Sequence, residues 1–140
     1  MATRVALVSC VKTKRKSAAA AQDLYISPLF NGLRRYSELN SDFWYILSAE
    51  HGVLYPDQIV APYERTLNAM PKCERLAWAE RVQQQLLKVL PVGAQVIVLA
   101  GERYRQFVIP FLQHHGFSVD VPMKGLGFGP QLHWLKEQNG

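Results

Sequence analysis

The chain has 140 residues, enough for one domain with its own core and too few for two ordinary ones. Hydrophobic residues make up 49% and charged residues 19%, which excludes a disordered tail, and no apolar run approaches the roughly 20 residues of a membrane helix. The net charge of +5 is uneven, because Lys12, Lys14, Arg15 and Lys16 fall within five positions; such a run is either a solvated surface or a patch for phosphate, nucleotide or nucleic acid.

Met1 to Arg4 lead into the apolar run Val5–Val8 without a cleavage-site pattern, so no signal peptide and a cytoplasmic location are expected. Arg4 to Val8 reads as a first strand ended by Ser9-Cys10, followed by the basic loop 11–16, which lacks P-loop glycines. Ser17 to Gln22 suits a short helical turn. Ser27 and Pro28 are an N-cap and first-turn pair that opens a helix to Leu39-Asn40, with Leu29, Phe30, Leu33 and Ser37 on one face.

Phe43 to Leu47 is a second strand, apolar enough to be buried on both faces, and it turns abruptly into Ser48-Ala49-Glu50-His51-Gly52. Val53 to Leu67 holds two prolines and no clean period, which predicts an irregular but ordered excursion of the kind that covers a site. Arg75 to Leu90 is the clearest helix, with Leu76, Ala79, Val82, Leu86 and Leu90 inward. Gln95 to Ala100 is a third strand, Tyr104 to His115 a helix dented by Pro110 and capped by Gly116, and Phe117 to Val121 a fourth strand. The glycine-rich stretch 125–130 precedes a last helix over 131–137.

Strands alternating with helices predict a single α/β domain over residues 1–140: three layers, with a four-stranded, mainly parallel sheet in the order 2-1-3-4 and helices on both faces. Ligands in such sheets sit beyond the carboxyl ends of the strands, at the point where strand order reverses. That rule brings Ser9-Cys10 and Ala100-Gly101 to the crevice, with Ser48, His51 and Gly52 as a neighbouring wall.

These residues resemble the bacterial and archaeal domain family of unknown function DUF6884. The likeness runs along nearly the whole chain: Ser9-Cys10 with Lys12 and Lys14; Asp23-Leu24-Tyr25 with Ser27 and Phe30; Trp44 to Ala49 with Gly52 and Leu54; Pro62-Tyr63-Glu64 with Leu67; Trp78; Ala100-Gly101 with Tyr104; Pro122, Gly125 and Gly129. The family often has Lys at the place of Glu50 and Asp at the place of Glu64, which lowers the rank of Glu50 and keeps a carboxylate at Glu64. A more distant similarity, in sheet order and in the glycine-rich loop before a helix, is to the uracil-DNA glycosylase superfamily. It implies metal-free excision of a base from nucleic acid. The acidic and aromatic residues of that superfamily's first-strand motif have no counterpart in Ser9 to Lys14.

The residues, taken together with these resemblances, leave three functions open. The first is a metal-free N-glycosylase or related hydrolase acting on a nucleobase in DNA or on a nucleotide. In it Glu64, His51 or Asp23 handles the proton or water, because a carboxylate stabilises an oxocarbenium-like state and a histidine exchanges protons near neutrality. Lys12 and Lys14 hold phosphate, Tyr25, Tyr63 and Tyr104 offer stacking faces, and the backbone at Gly125 and Gly127 can approach an anion. Ser9, Cys10, Ser48, Gly52 and Gly101 complete the wall. The second is a nucleotide or nucleic-acid binding module using the Lys12–Lys16 loop without chemistry. The third is a stress or defence accessory domain that works through protein partners. The plain alternatives for each residue are core packing for the tyrosines, a turn for His51 and the glycines, and salt bridges for Asp23 and Glu64. Cys10 and Cys73 form no CxxC, and the four histidines lack metal spacing, so neither a disulfide, a metal nor a cofactor is expected, and no membrane partner. Composition leaves the oligomeric state open.

Overall fold

Strand β1 is Arg4–Ser9, and its apolar residues are buried on both faces. Val5 and Leu7 join one core while Ala6 and Val8 join the other, as the two-residue period of a strand requires. This is a computed structural model, which describes residues 2–140. The elements after β1 are β2 (Ala19–Ala20), α1 (Ala21–Leu24), α2 (Pro28–Asn40), β3 (Phe43–Ser48), β4 (Gly52–Leu54), β5 (Ile59–Val60), α3 (Lys72–Val89), β6 (Gln95–Leu99), α4 (Glu102–Arg105), α5 (Val108–His114), β7 (Ser118–Asp120) and α6 (Phe128–Gln138), with one 3₁₀ turn at Leu67–Ala69.

The central sheet is mainly parallel and runs β4-β3-β1-β6-β7. Four strands pair in parallel, with Leu7 opposite both Tyr45 and Val98. The expected four strands are corrected to five. Gly52, at φ +77°, reverses the chain after the turn 49–51, so β4 folds back antiparallel on β3 and places Gly52 opposite Ser48. Helices cover both faces. Phe30 and Leu33 of α2 and Leu135 of α6 pack on Ala6, Val8, Ile46 and Ile97; Trp78, Ala79 and Val82 of α3, with Val108 and Leu112 of α5, pack on Val5, Leu7, Leu47 and Val98. Burying one such leucine or valine contributes about 1.5–3 kcal/mol, so the two cores make the sheet the rigid part of the molecule.

The start of α2 is as its sequence reads: Ser27 Oγ accepts the Phe30 N–H at 2.9 Å and Pro28 takes the first helical position. Several other boundaries move. The helical turn expected over Ser17–Gln22 is shifted: Ala19–Ala20 form β2, which pairs with β5 in a second, two-stranded sheet, and the turn begins at Ala21 as α1. The excursion 53–67 is therefore tied down in its middle, with the Ala21 and Gln22 N–H groups bonded to the Gln58 and Pro56 carbonyls. In α3, Leu76 is 39% exposed, and Arg75 and Trp78 are buried alongside Ala79, Val82 and Leu86. The helix expected over 104–115 is two helices separated at Gln106-Phe107. Pro110 then falls in the first turn of α5, where an N–H has no intrahelical acceptor to lose. By the same rule Pro130 is accommodated in α6, which starts at Phe128 rather than Gln131.

Candidate functional site

Ser48 ends β3 and is fully buried. Its Oγ accepts N–H bonds from Glu50 (3.2 Å) and His51 (3.1 Å), which shapes the turn into β4, and donates to the Tyr63 hydroxyl at 2.7 Å. Tyr63 reaches in from the excursion and meets the Tyr25 hydroxyl at 2.5 Å. Burial disfavours the phenolate form, so both phenols titrate well above their ordinary value of 10.

The basic loop is held beside these tyrosines by backbone pairing. Lys14 bridges Tyr25, the Arg15 N–H donates to the Leu24 carbonyl at 2.9 Å, and the Ile26 N–H donates to that of Thr13 at 3.0 Å. Lys14 Nζ sits 4.5 Å from the centroid of the Tyr63 ring and donates to the Lys12 carbonyl at 3.0 Å. Partial burial lowers its pKa, opposed by the negative charges available at Cys10 and Glu64; the ring face beneath it favours the ammonium form as well. Lys12, Lys14, Arg15, Lys16, Tyr63 and Glu64 line a groove of about 390 Å³.

On the other side of β1 the strand ends part over a cavity of about 430 Å³, within the range of small-molecule sites. Ser9, Cys10 and Val11 form one wall, and Ala100 to Arg105 the opposite one. Leu33, Leu99 and Met123 supply apolar lining, while Asn68, Glu102, Arg103 and Gln131 bring polar groups. Cys10 Sγ lies 3.2 Å from the hydroxyl of Tyr104, whose pKa burial again raises. Arg105 is turned back onto the Ala100 carbonyl at 2.9 Å. Trp78 braces both sides: its Nε1 donates to the Ser48 carbonyl at 2.9 Å and its ring stands edge-on to Tyr104.

The structure thus brings Ser9, Cys10, Gly101 and Tyr104 to the cavity and Lys12, Lys14, Tyr63 and Glu64 to the groove, with Tyr25 and Ser48 behind the groove. Five other candidates line neither space. Asp23 is engaged by Arg34 at 2.9 Å. His51 is exposed, with its ring edge-on to Tyr63. Gly52 is buried against Gln85, whose Oε1 accepts the Val53 N–H at 2.8 Å. Gly125 and Gly127 are exposed on the approach to α6, Gly125 at φ +83° and Gly127 as the cap residue. Sequence reasoning missed Glu102, Arg103, Arg105, Asn68 and Gln131. Glu102 to Arg105 follow directly on Gly101, and extending the strand-end rule by one helical turn finds them. Asn68 and Gln131 carry no local signal. Among the described residues no group of three or more His, Cys, Asp or Glu is placed to hold a metal, and no helix is long and apolar enough to cross a membrane.

The match to a family of unknown function, DUF6884, covers residues 5–137. The chain belongs to the DUF6884 family. The matched span runs from β1 into α6, so every wall of the cavity and the groove lies inside the family domain. The chain is also similar to the uncharacterized protein YfjM of Bacillus subtilis (strain 168), at 27% identity over 134 residues, covering 89% of each chain.

Proposed function

We propose that this DUF6884 domain binds a nucleotide unit, free or within a nucleic-acid strand, with the nucleoside in the cavity between β1 and β6 and phosphate along Lys12–Lys16. The observation that carries this reading is continuity. Cys10 and Val11 line the cavity and Lys12 lines the basic groove, so three consecutive residues join a pocket of mixed polar and apolar lining to a cationic track. Two residues of extended chain span about 7 Å, and one ligand of nucleotide size reaches both. Lys12, Lys14, Arg15 and Lys16 outweigh Glu64 in the groove, and four such cations release condensed counterions when they meet phosphates. The test is fluorescence anisotropy with a labelled single-stranded oligonucleotide at low salt, followed by a salt titration. Binding should weaken steeply with salt and with Lys12→Glu or Lys16→Glu. No binding at low salt overturns the reading.

A hydrolytic function is favoured by one further observation: each space has a carboxylate, Glu102 in the cavity and Glu64 in the groove. In N-glycosidic cleavage a carboxylate stabilises oxocarbenium-like charge on the sugar or takes a proton from the attacking water. An architecture of the uracil-DNA glycosylase type belongs to this second reading. Oligonucleotides bearing modified bases should then acquire abasic sites on incubation, and Glu102→Gln should slow their formation. Binding without base release leaves the protein as a binding module.

A further inference from the structure

The hydroxyl groups at the end of β3 hold one proton more than the protein can place. Ser48 Oγ accepts two N–H bonds, which occupy its lone pairs, so its own proton goes to the Tyr63 oxygen. Tyr63 and Tyr25 then share a single O···O contact between two phenol protons. One proton serves that contact; the other has no acceptor among the described residues, on a pair whose Tyr25 member is 1% exposed. Both phenols stay protonated because burial raises their pKa. Beside them Lys14 spends one of its three N–H donors on the Lys12 carbonyl. The ion pairs among the described residues involve Arg34 and His133, not Lys14. When Tyr25 donates to Tyr63, the surplus proton is that of Tyr63, which lines the groove together with Lys14 and its two free donors, while Tyr25 lies behind it.

We propose that this inner end is an oxyanion subsite for one phosphoryl group, held by Lys14 Nζ and the Tyr63 hydroxyl, with Tyr25 donating to the Tyr63 oxygen. The proposal rests on the nucleotide reading above and specifies which residues grip the phosphate. Ser48 donates to the Tyr63 oxygen, and with Tyr25 donating to the same oxygen the Tyr63 proton is left as the free donor of the chain. The Tyr63 ring holds the Lys14 ammonium from below, making the two donors one unit. Glu64, on the same groove, opposes a second anion and limits the subsite to a single phosphoryl group.

Calorimetry and anisotropy on the full chain test this, with inorganic phosphate, a nucleoside monophosphate and a single-stranded oligonucleotide lacking terminal phosphates as probes. Lys14→Gln should weaken oligonucleotide binding about tenfold or more and lower the salt slope by roughly one. Tyr63→Phe should weaken it comparably with the salt slope unchanged, which a general loss of charge does not do. Tyr25→Phe keeps the Tyr63 proton and should bind like the parent, and Lys14→Gln carries the test if Tyr63→Phe does not fold. Displacement of the strand by phosphate or the monophosphate assigns the subsite to a terminal phosphate; strand binding indifferent to them assigns it to backbone phosphodiesters. If Lys14→Gln and Tyr63→Phe bind like the parent while Lys12→Glu does not, the subsite is overturned and the nucleotide reading stands. If the parent binds none of the probes at low salt, both fall.

Discussion

The two halves of the sheet's carboxyl edge are built from similar materials and end differently. Between β1 and β3 the space is filled: Ser48, Tyr63 and Tyr25 form a hydroxyl chain, and the excursion is stitched down by β2 and β5. Between β1 and β6 no such chain enters, and Cys10 and Tyr104 face a cavity of about 430 Å³. The difference follows from topology. β1 connects through α2 to β3 on one side, while β6 lies on the other, and the crevice opens where the connections diverge. The filled half orders cations along the basic groove; the open half forms the larger cavity.

Trp78 is the brace common to both halves, so Trp78→Ala gives the largest expected effect, a loss of about 3–5 kcal/mol in urea unfolding. A loss below about 1 kcal/mol would show that the halves are held independently. Alkaline unfolding comes next. Below pH 10 both folded and unfolded chains keep the protons of Tyr25, Tyr63 and Tyr104; above it the unfolded chain releases them first, because the folded-state values are raised. Stability should fall above that pH by roughly 1 kcal/mol per phenol for each pH unit. Since Tyr63 and Tyr25 belong to the filled half, the double variant Tyr25→Phe/Tyr63→Phe should lose most of this slope, and an unchanged slope would place the titration elsewhere.

The halves should also differ in what a single hydroxyl is worth. Tyr63→Phe strands its buried Ser48 partner and should cost about 1–3 kcal/mol, while Tyr104→Phe loses its contact to the Cys10 thiol at the edge of the cavity and should cost less, about 1 kcal/mol. Equal losses, read from paired denaturation curves, would erase the distinction. Two glycines give the smallest contrast. A Cβ on Gly52 would lie 2.1 Å from Gln85 Oε1 at φ +77°, so Gly52→Ala should cost about 1–3 kcal/mol. Gly101 borders open space at φ −67°, and Gly101→Ala should stay within about 0.5 kcal/mol. Thermal melts of the pair measure both.

Much of this was legible in the residues. Unbroken apolar runs such as Val5–Val8 and Val96–Leu99 can only be strands covered on both faces, and Ser27-Pro28 is a local helix start that needs no distant partner. Ser9, Cys10 and Gly101 followed from where those strands stop. His51 and Asp23 look like chemistry on paper because both residue types do chemistry; a neighbouring ring and a guanidinium, set by chain geometry, give them other surroundings.

The sequence by itself determined the alternating strands and helices, the caps and the basic run, because these depend on periodicity and composition within a few residues. Tertiary structure alone decided that Gly52 turns β4 back on β3, that Tyr63 reaches Ser48 and Tyr25 from 15 and 38 positions away, and that Asn68 and Gln131 share a cavity with Cys10. Those contacts join segments whose local patterns carry no record of one another. They exist because burying two cores fixes the segments in space, and the leftover polar groups must then bond to whatever stands within reach.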